Sequence, residues 1–128
     1  MKIISHRGNL KGPNSDKENN PSYIESALKL GYEVEIDVWY IDKKWHLGHD
    51  MPQYENLRYD FLLKRGLWLH AKNGDAFYNL LQDVDCNVFW HTDEDWVLTS
   101  KKYIWTYPNT KLYPTGEKEV IMLSTLNK

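Results

Sequence analysis

Cysteine is almost missing from this sequence, which contains only Cys86 among its 128 residues. A single cysteine excludes an internal disulfide framework and a zinc site built from several thiolates. This usage is typical of a reducing compartment, so we expect a cytoplasmic protein. A secretory signal peptide is not expected either, because the apolar start over 1–4 is followed at once by Ser5, His6 and Arg7.

Long apolar runs and a strong charge of one sign are also missing. No stretch approaches the roughly 18 apolar residues that a membrane-spanning helix requires, so we expect no membrane span. The 16 Lys and Arg residues nearly balance the 18 Asp and Glu residues, for a formal net charge of −2. This balance does not favour nucleic acid as a partner, and an anionic substrate has to be held by a few local cations.

Aromatic residues, in contrast, are abundant, with 6 Trp, 9 Tyr and 3 Phe. Large rings fill a small core efficiently, so packing in the interior is the expected role of most of them. A chain of this length has room for one core, and we expect a single domain over 1–128.

Periodicity and turn residues divide the chain into short strands and helices. Strands are predicted over 2–5, 32–41, 45–50, 67–72, 87–91, 96–98, 103–107 and 120–123, and helices over 22–31, 56–65 and 75–82. The first helix is marked by Pro21 at its start and Gly31 at its end. Strands that alternate with helices favour an α/β fold with a mostly parallel sheet and helices outside it.

One predicted strand carries an acidic face. Residues 32–41 alternate strictly, so that Glu35 and Asp37 project to one side and the apolar residues between them to the other. Taken alone, this pattern also fits a strand that turns its acidic residues to water. The next strand, over 45–50, contains His49 near its end, so the two strands together supply carboxylates and an imidazole.

Four short motifs then follow one another in a specific order. They are His6-Arg7-Gly8 after the first strand, Glu18-Asn19 before the first helix, Gly31-x-x-x-Glu35-x-Asp37-Val38 in the second strand, and His49-Asp50 in the third. In order and approximate spacing, this set resembles the signature of the glycerophosphodiester phosphodiesterases. Each motif alone is common by chance, but four in order, each at a strand end or a helix start, are much rarer.

Beyond residue 50 the resemblance is carried by one motif. The family pattern continues with a strand bearing Glu-x-Lys, and the corresponding segment here is 67–72. Lys72 matches the lysine, whereas His70 stands where the family has a metal-binding glutamate. The extra subdomain that many relatives insert after the His-Asp pair is missing.

The resemblance implies a fold as well. The family uses an eight-stranded β/α barrel of the TIM type, and such barrels rarely close in fewer than ~200 residues. We therefore expect a reduced or partial TIM-type (β/α) barrel of the PLC-like phosphodiesterase kind. A compact barrel with fewer helices is favoured, while a partial barrel completed by another subunit and a truncated gene product stay open. Uncovered strand edges make a homodimer the expected assembly.

The same resemblance implies a metal-dependent phosphodiesterase. Glu35 and Asp37, two residues apart on one strand face, are the expected ligands of a divalent ion, and the family implies Mg²⁺ or Ca²⁺. Glu18 and His70 are further candidate ligands. The expected substrate is a glycerophosphodiester or a similar small phosphodiester, and the sequence does not name its two alcohols.

Cleavage of a phosphodiester also needs a base, an acid and cations around the phosphate. His6 and His49 are the expected pair, with His6 assigned as the base and His49 as the acid, and the reverse assignment stays open. Arg7 and Lys72 are expected to bind the substrate phosphate. In the related enzymes a neighbouring hydroxyl attacks phosphorus, and water then opens the cyclic product.

Two other functions stay open at this point. The histidine at position 70 and the short chain also fit a binding module that keeps the phosphate cleft but does not turn over. A lyase or lipase that stops at the cyclic phosphate would share both histidines and differ only in its product.

Overall fold

A computed structural model describes residues 2–91, 96–106 and 120–124 of the chain. These ranges contain nine strands, which are β1 (Lys2–His6), β2 (Val34–Ile41), β3 (Lys44–Leu47), β4 (Tyr54–Leu57), β5 (Leu67–Ala71), β6 (Val88–Phe89), β7 (Trp96–Leu98), β8 (Ile104–Thr106) and β9 (Val120–Ser124). They also contain the helices α1 (Pro21–Lys29) and α2 (Gly74–Leu81) and a 3₁₀-helix over Tyr59–Leu63. None of these helices is long and apolar enough to cross a membrane.

All nine strands belong to one mixed sheet. Six of them pair in parallel, in the order β8-β9-β1-β2-β5-β6. The other three pair antiparallel, β3 with β2, β4 with β3, and β7 with β8. The sheet is open, because no strand pairing joins β6 to β7 within the described part of the chain.

The expectation of a reduced or partial TIM-type barrel is therefore wrong. A TIM barrel closes eight parallel strands and covers each with a helix, whereas the described ranges contain two helices of 9 and 8 residues and no closed cylinder. The physical reason lies in the connections. Between β2 and β5 the chain forms the antiparallel strands β3 and β4, and between β7 and β8 it reverses directly, so these segments do not extend the parallel series.

Most of the predicted elements are nevertheless confirmed to within two residues. These are the strands predicted over 2–5, 32–41, 67–72, 87–91, 96–98 and 120–123 and the helices predicted over 22–31 and 75–82. The strand predicted over 103–107 is confirmed over 104–106, and position 107 lies outside the described residues.

The helix predicted over 56–65 is wrong. The segment instead forms β4, which pairs antiparallel with β3, and then the 3₁₀-helix. Asn56 has a φ of 57°, in the left-handed region, which interrupts a right-handed helix at its predicted start. The unpaired edge of β3 provides the competing interaction, because its backbone groups gain hydrogen bonds when the following segment lies beside it.

The outer face of the sheet holds the main apolar core. Alternate residues of β2 and β5 lie on this face and are covered by apolar residues of α1 and α2; the buried set includes Val34, Ile36, Val38, Leu67, Leu69, Ala71, Ile24, Ala27, Ala76 and Leu80. Since strand residues alternate between faces, the residues between them lie on the inner face. The apolar half of the alternating strand over 32–41 is thus buried under helices, and its acidic half faces inward.

The inner face is strongly curved. The indole of Trp105 on β8 lies 4.5 Å from the ring of Phe89 on β6 and 5.8 Å from that of Trp68 on β5, measured between ring centroids. In the order of the sheet, β9, β1 and β2 separate β8 from β5. The sheet therefore bends until its inner face packs on itself, and Ile4 of β1 completes this aromatic cluster.

Helix α1 connects β1 to β2, and its start depends on Asn20. The Asn20 side chain accepts hydrogen bonds from the backbone N–H groups of Ser22 and Tyr23, and Pro21 occupies the first turn. We expect Asn20→Ala to lower the free energy of unfolding by about 1 kcal/mol, because these donors lose their acceptor. Asn20→Asp retains the acceptor and should stay close to the wild type. Equilibrium unfolding in urea measures both, and equal midpoints for all three proteins would contradict this role.

Candidate active site

The polar residues of the inner face meet at the carboxyl ends of β1, β2 and β5. His6 is the last residue of β1 and pairs in register with Glu35 of β2. Asp37, two residues further along β2, pairs in register with His70 of β5. Parallel pairing of three neighbouring strands thus brings four of the predicted site residues to one edge of the sheet.

Asp37 lies at the centre of this group and is fully buried. Its Oδ2 accepts a hydrogen bond from Nδ2 of Asn19 at 2.8 Å and lies 3.1 Å from Nε of Arg7 and 3.5 Å from Nδ1 of His49. Its Oδ1 lies 3.1 Å from Nδ1 of His70. Burial by itself raises the pKa of a carboxyl group, but the contacts with His49, His70 and Arg7 outweigh it and hold the pKa of Asp37 well below its usual value.

Glu35 is the second buried carboxylate. Its Oε2 lies 3.5 Å from Nδ1 of His70, and its Oε1 lies 3.8 Å from Nε2 of His6. Within the described ranges, neither Oε1 of Glu35 nor Oδ1 of Asp37 has a hydrogen bond of good geometry. Buried oxygens without donors are costly, so both atoms are acceptors that a donor or a cation could satisfy.

Arg7 connects four segments of the chain. Its Nη1 donates to Oε1 of Glu18 at 2.9 Å, its Nε contacts Asp37, and its Nη2 lies 2.6 Å from Nδ1 of His49. Burial lowers the pKa of a guanidinium, but the surrounding carboxylates outweigh it and raise the pKa of Arg7. All three guanidinium nitrogens therefore contact protein groups, and the phosphate-binding role predicted for Arg7 stays a prediction.

Glu18 holds Arg7 from the loop before α1. Besides Arg7, its carboxylate accepts hydrogen bonds from the Asn9 side chain at 3.0 Å and from the Asn14 backbone at 2.8 Å. Burial would raise the pKa of Glu18, but these hydrogen bonds outweigh it and lower the pKa. Glu18 lies outside the group of Glu35, Asp37 and His70 whose ligand atoms converge, and its predicted role as a metal ligand stays a prediction.

Lys72 follows β5 directly. Its backbone N–H donates to the carbonyl oxygen of Val38 at 2.8 Å, which places the residue beside β2. The side chain is partly buried and forms no ion pair with a described carboxylate. The predicted contact between Lys72 and a substrate phosphate stays a prediction.

His70 is nearly buried, and both of its ring nitrogens face hydrogen-bond acceptors. Nε2 lies 3.3 Å from the carbonyl oxygen of His91, and Nδ1 faces Asp37 and Glu35. Burial lowers the pKa of an imidazole, but the two carboxylates outweigh it and raise the pKa of His70 to about 9. Because a carbonyl and a carboxylate cannot donate, Nδ1 needs either a proton or a metal ion opposite it.

His49 is carried by a loop rather than by a strand, because β3 ends at Leu47, and the strand predicted over 45–50 is too long. Gly48 adopts a φ of 155°, and a Cβ there would lie 1.9 Å from the carbonyl oxygen of Met51, so only glycine fits. The Trp39 indole N–H donates to the carbonyl oxygen of Gly48 at 2.7 Å. The loop is thereby fixed, and the His49 side chain remains 41% exposed.

Sequence reasoning assigned no role to Asn19 or Asn9. Asn19 stood in one of the four motifs, and its φ of 67° is a conformation that asparagine tolerates better than most residues. Its side-chain oxygen accepts from the backbone N–H of Asp37 at 2.9 Å, so the two residues exchange two hydrogen bonds. An asparagine before the first helix was the available signal, but its partner 18 positions away could not be read from it.

The Asn19–Asp37 pair predicts a charge effect on stability. We expect Asn19→Asp to lower the free energy of unfolding by ~1–3 kcal/mol at pH 7, because a carboxylate replaces the amide donor beside the buried Asp37. Asn56→Asp is the matched control, since Asn56 is exposed and shares the left-handed backbone conformation. Urea unfolding of both variants tests this. Equal stabilities of the two variants would show that the amide donor is unimportant.

The inner face presents two buried carboxylates, three imidazoles and a guanidinium at the carboxyl ends of adjacent parallel strands. No family model matches the chain, and neither a curated protein nor a solved structure shows a significant match to it.

Proposed function

We propose that this protein is a metal-dependent phosphoric diester hydrolase that cleaves a glycerophosphodiester or a similarly small phosphodiester. The observation that carries the proposal is the pairing of each candidate catalytic histidine with one buried carboxylate. His6 lies 3.8 Å from Glu35, and His49 lies 3.5 Å from Asp37. Two imidazoles can supply a base and an acid, and two buried carboxylates beside them can hold a cation, which together are the groups the proposed cleavage uses.

The carboxylates support the metal dependence. Oε1 of Glu35 and Oδ1 of Asp37 are buried acceptors without hydrogen bonds in the described part of the chain. Together with Glu18 they give three carboxylates against one guanidinium, Arg7, so two negative charges remain to be balanced when the histidines are neutral. A divalent ion held by Glu35 and Asp37 fits this charge. When bound, it would stabilise negative charge on the phosphoryl oxygens.

His6 is suited to act as the base. Burial is the largest influence on its imidazole and lowers its pKa, despite the opposing charge of Glu35. A neutral ring at neutral pH can accept a proton from an attacking water or from a neighbouring substrate hydroxyl. Its side chain is 21% exposed, so a substrate can reach it.

His49 is then the acid. To act as an acid, His49 must be an imidazolium with a proton on each ring nitrogen, so that Nδ1–H faces Oδ2 of Asp37 at 3.5 Å and Nε2–H is the proton available to the substrate. The exposed ring can transfer a proton to the leaving alcohol oxygen as the bond from phosphorus to that oxygen breaks. The opposite assignment of His6 and His49 would give the same products. A lyase variant of the reaction would also use both residues and would stop at the cyclic phosphate.

Lys72 is the cation proposed to bind the substrate phosphate. Its side chain has no ion pair among the described residues, and its backbone lies beside β2. A cytoplasmic location and a homodimer through an open sheet edge belong to the same proposal. The two alcohols joined by the phosphate are not specified by any of these contacts.

A second candidate function is a phosphate-ester binding module without turnover. The observation that favours it is the position of His70, whose Nδ1 contacts both Asp37 and Glu35 and, as an imidazolium, places one positive charge opposite them. Together with Arg7, this charge balances Glu35 and Asp37 without a metal. The first experiment below separates the two functions.

Purified protein should be incubated with a panel of glycerophosphodiesters, a lysophospholipid and a chromogenic diester, with and without added divalent ions. We expect turnover of at least one diester, and we expect a chelator to abolish it. The reason is that the divalent ion held by Glu35 and Asp37 would offset the negative charge of the phosphate, which the two carboxylates themselves cannot do. Glu35→Gln should lose activity in the same way. Binding of a diester by calorimetry without any turnover would instead support the binding module.

The roles of His6 and His49 predict that variants of the two residues differ in their turnover of diesters whose leaving group needs no protonation. His6→Gln and His49→Gln should each lower turnover by ~10²–10⁴, because each removes one proton-transfer step. A nitrophenyl diester, whose leaving group needs no protonation, should restore activity to the variant that lacks the acid and not to the other.

His46→Gln is the control for this experiment, because His46 lies on β3 outside the site and should leave turnover unchanged. Circular dichroism establishes that each variant is folded. Near-normal turnover of the natural diester in both folded variants, His6→Gln and His49→Gln, would refute the acid–base assignment.

A further inference from the structure

The orientation of His70 is set by contacts on two sides. Its ring stacks on Phe89 at a centroid distance of 5.0 Å and an interplanar angle of 12°. Its Nε2 must donate to the carbonyl oxygen of His91, because a carbonyl only accepts. This pair of contacts fixes the ring plane and directs Nδ1 at the carboxylates. A histidine whose second nitrogen donates to a backbone carbonyl is the usual arrangement of a metal-ligating histidine.

The ligand atoms converge tightly around one point. Nδ1 of His70 lies 3.1 Å from Oδ1 of Asp37 and 3.5 Å from Oε2 of Glu35. One ligand atom from each of the three residues lies within 4.8 Å of the others, and all three residues are buried. Two carboxylate oxygens of these residues, Oε1 of Glu35 and Oδ1 of Asp37, have no hydrogen bond within the described part of the chain. The set therefore contains one imidazole nitrogen and two carboxylates, and it is shielded from water.

Such a mixed set of donors discriminates between classes of divalent ion. Mg²⁺ and Ca²⁺ are hard cations that prefer oxygen ligands and keep several of them. Imidazole nitrogen suits first-row ions such as Zn²⁺ much better, and Mn²⁺, although it also takes oxygen ligands, binds imidazole more readily than Mg²⁺ does. The imidazole of His70 beside Asp37 and Glu35 therefore favours an ion of the second class.

We propose that the site binds a first-row transition ion of the Mn²⁺ or Zn²⁺ class, with Nδ1 of His70 as a direct ligand beside Glu35 and Asp37. This inference rests on the proposed function for the presence of a divalent ion and goes beyond it in naming the ion class and the third ligand. His70 is accordingly the residue that sets metal preference.

The experiment uses the full chain, freed of metal by a chelator and then loaded with Mn²⁺ alone. Pulsed electron paramagnetic resonance detects an imidazole nitrogen bound to Mn²⁺ through its nuclear coupling. We expect this coupling in the wild type, its loss in His70→Gln and His70→Glu, and its retention in the control His6→Gln. Calorimetric titrations with Mn²⁺ and Mg²⁺ should show the preference for Mn²⁺ falling about tenfold or more in His70→Glu, where oxygen replaces nitrogen.

The outcomes separate this inference from the proposed function. If Mn²⁺ binds the wild type without nitrogen coupling, or if the coupling persists in a folded His70 variant, His70 is not a ligand and the inference is overturned. A metal-dependent phosphodiesterase would survive that result. If neither ion binds at millimolar concentration, the inference is again overturned, and turnover in the presence of a chelator then shows whether the phosphodiesterase function holds without a metal.

Discussion

Burial of the two carboxylates of Glu35 and Asp37 is the constraint on which the rest of the site depends. Moving a carboxylate out of water costs several kcal/mol unless charges and hydrogen bonds compensate it. Arg7, Asn19 and His70 provide this compensation, and each comes from a different segment of the chain. The loop after β1, the approach to α1 and the pairing of β5 with β2 are therefore all tied to the same pair of side chains.

The open sheet preserves the site although the barrel is missing. The site requires the parallel pairing of β1, β2 and β5, and this pairing depends on the apolar outer face under α1 and α2 rather than on closure of the sheet. Curvature contributes on the inner side, where Trp68, Phe89 and Trp105 pack into a cluster next to the polar group. A low-polarity neighbour strengthens the interactions between the charged groups and limits water around them.

His70 connects the electrostatics of the fold with the proposed chemistry. Its Nδ1 is held opposite two carboxylates by the His91 carbonyl and the Phe89 ring, so the position must contain either a proton or a metal ion. With a proton there, His70 and Arg7 together balance Glu35 and Asp37 without a metal, whereas a metal gives a site with added positive charge for a phosphate. The proposed binding module and the proposed phosphodiesterase thus differ in whether a proton or a metal ion lies between His70 and the two carboxylates.

The sequence by itself determined the local elements and part of the site. Strict alternation over 32–41 placed Glu35 and Asp37 on one face, and His6 followed from its position at a strand end. The same local patterns led to a wrong helix over 56–65 and a wrong barrel. Both errors arose because the pairing of β4 with β3 and the reversal between β7 and β8 depend on interactions between separate segments, which local patterns do not show. Only the tertiary structure decided that His70 lies against both carboxylates. Such contacts depend on strand register and sheet curvature, which join residues far apart in the chain and leave no periodic trace in either segment.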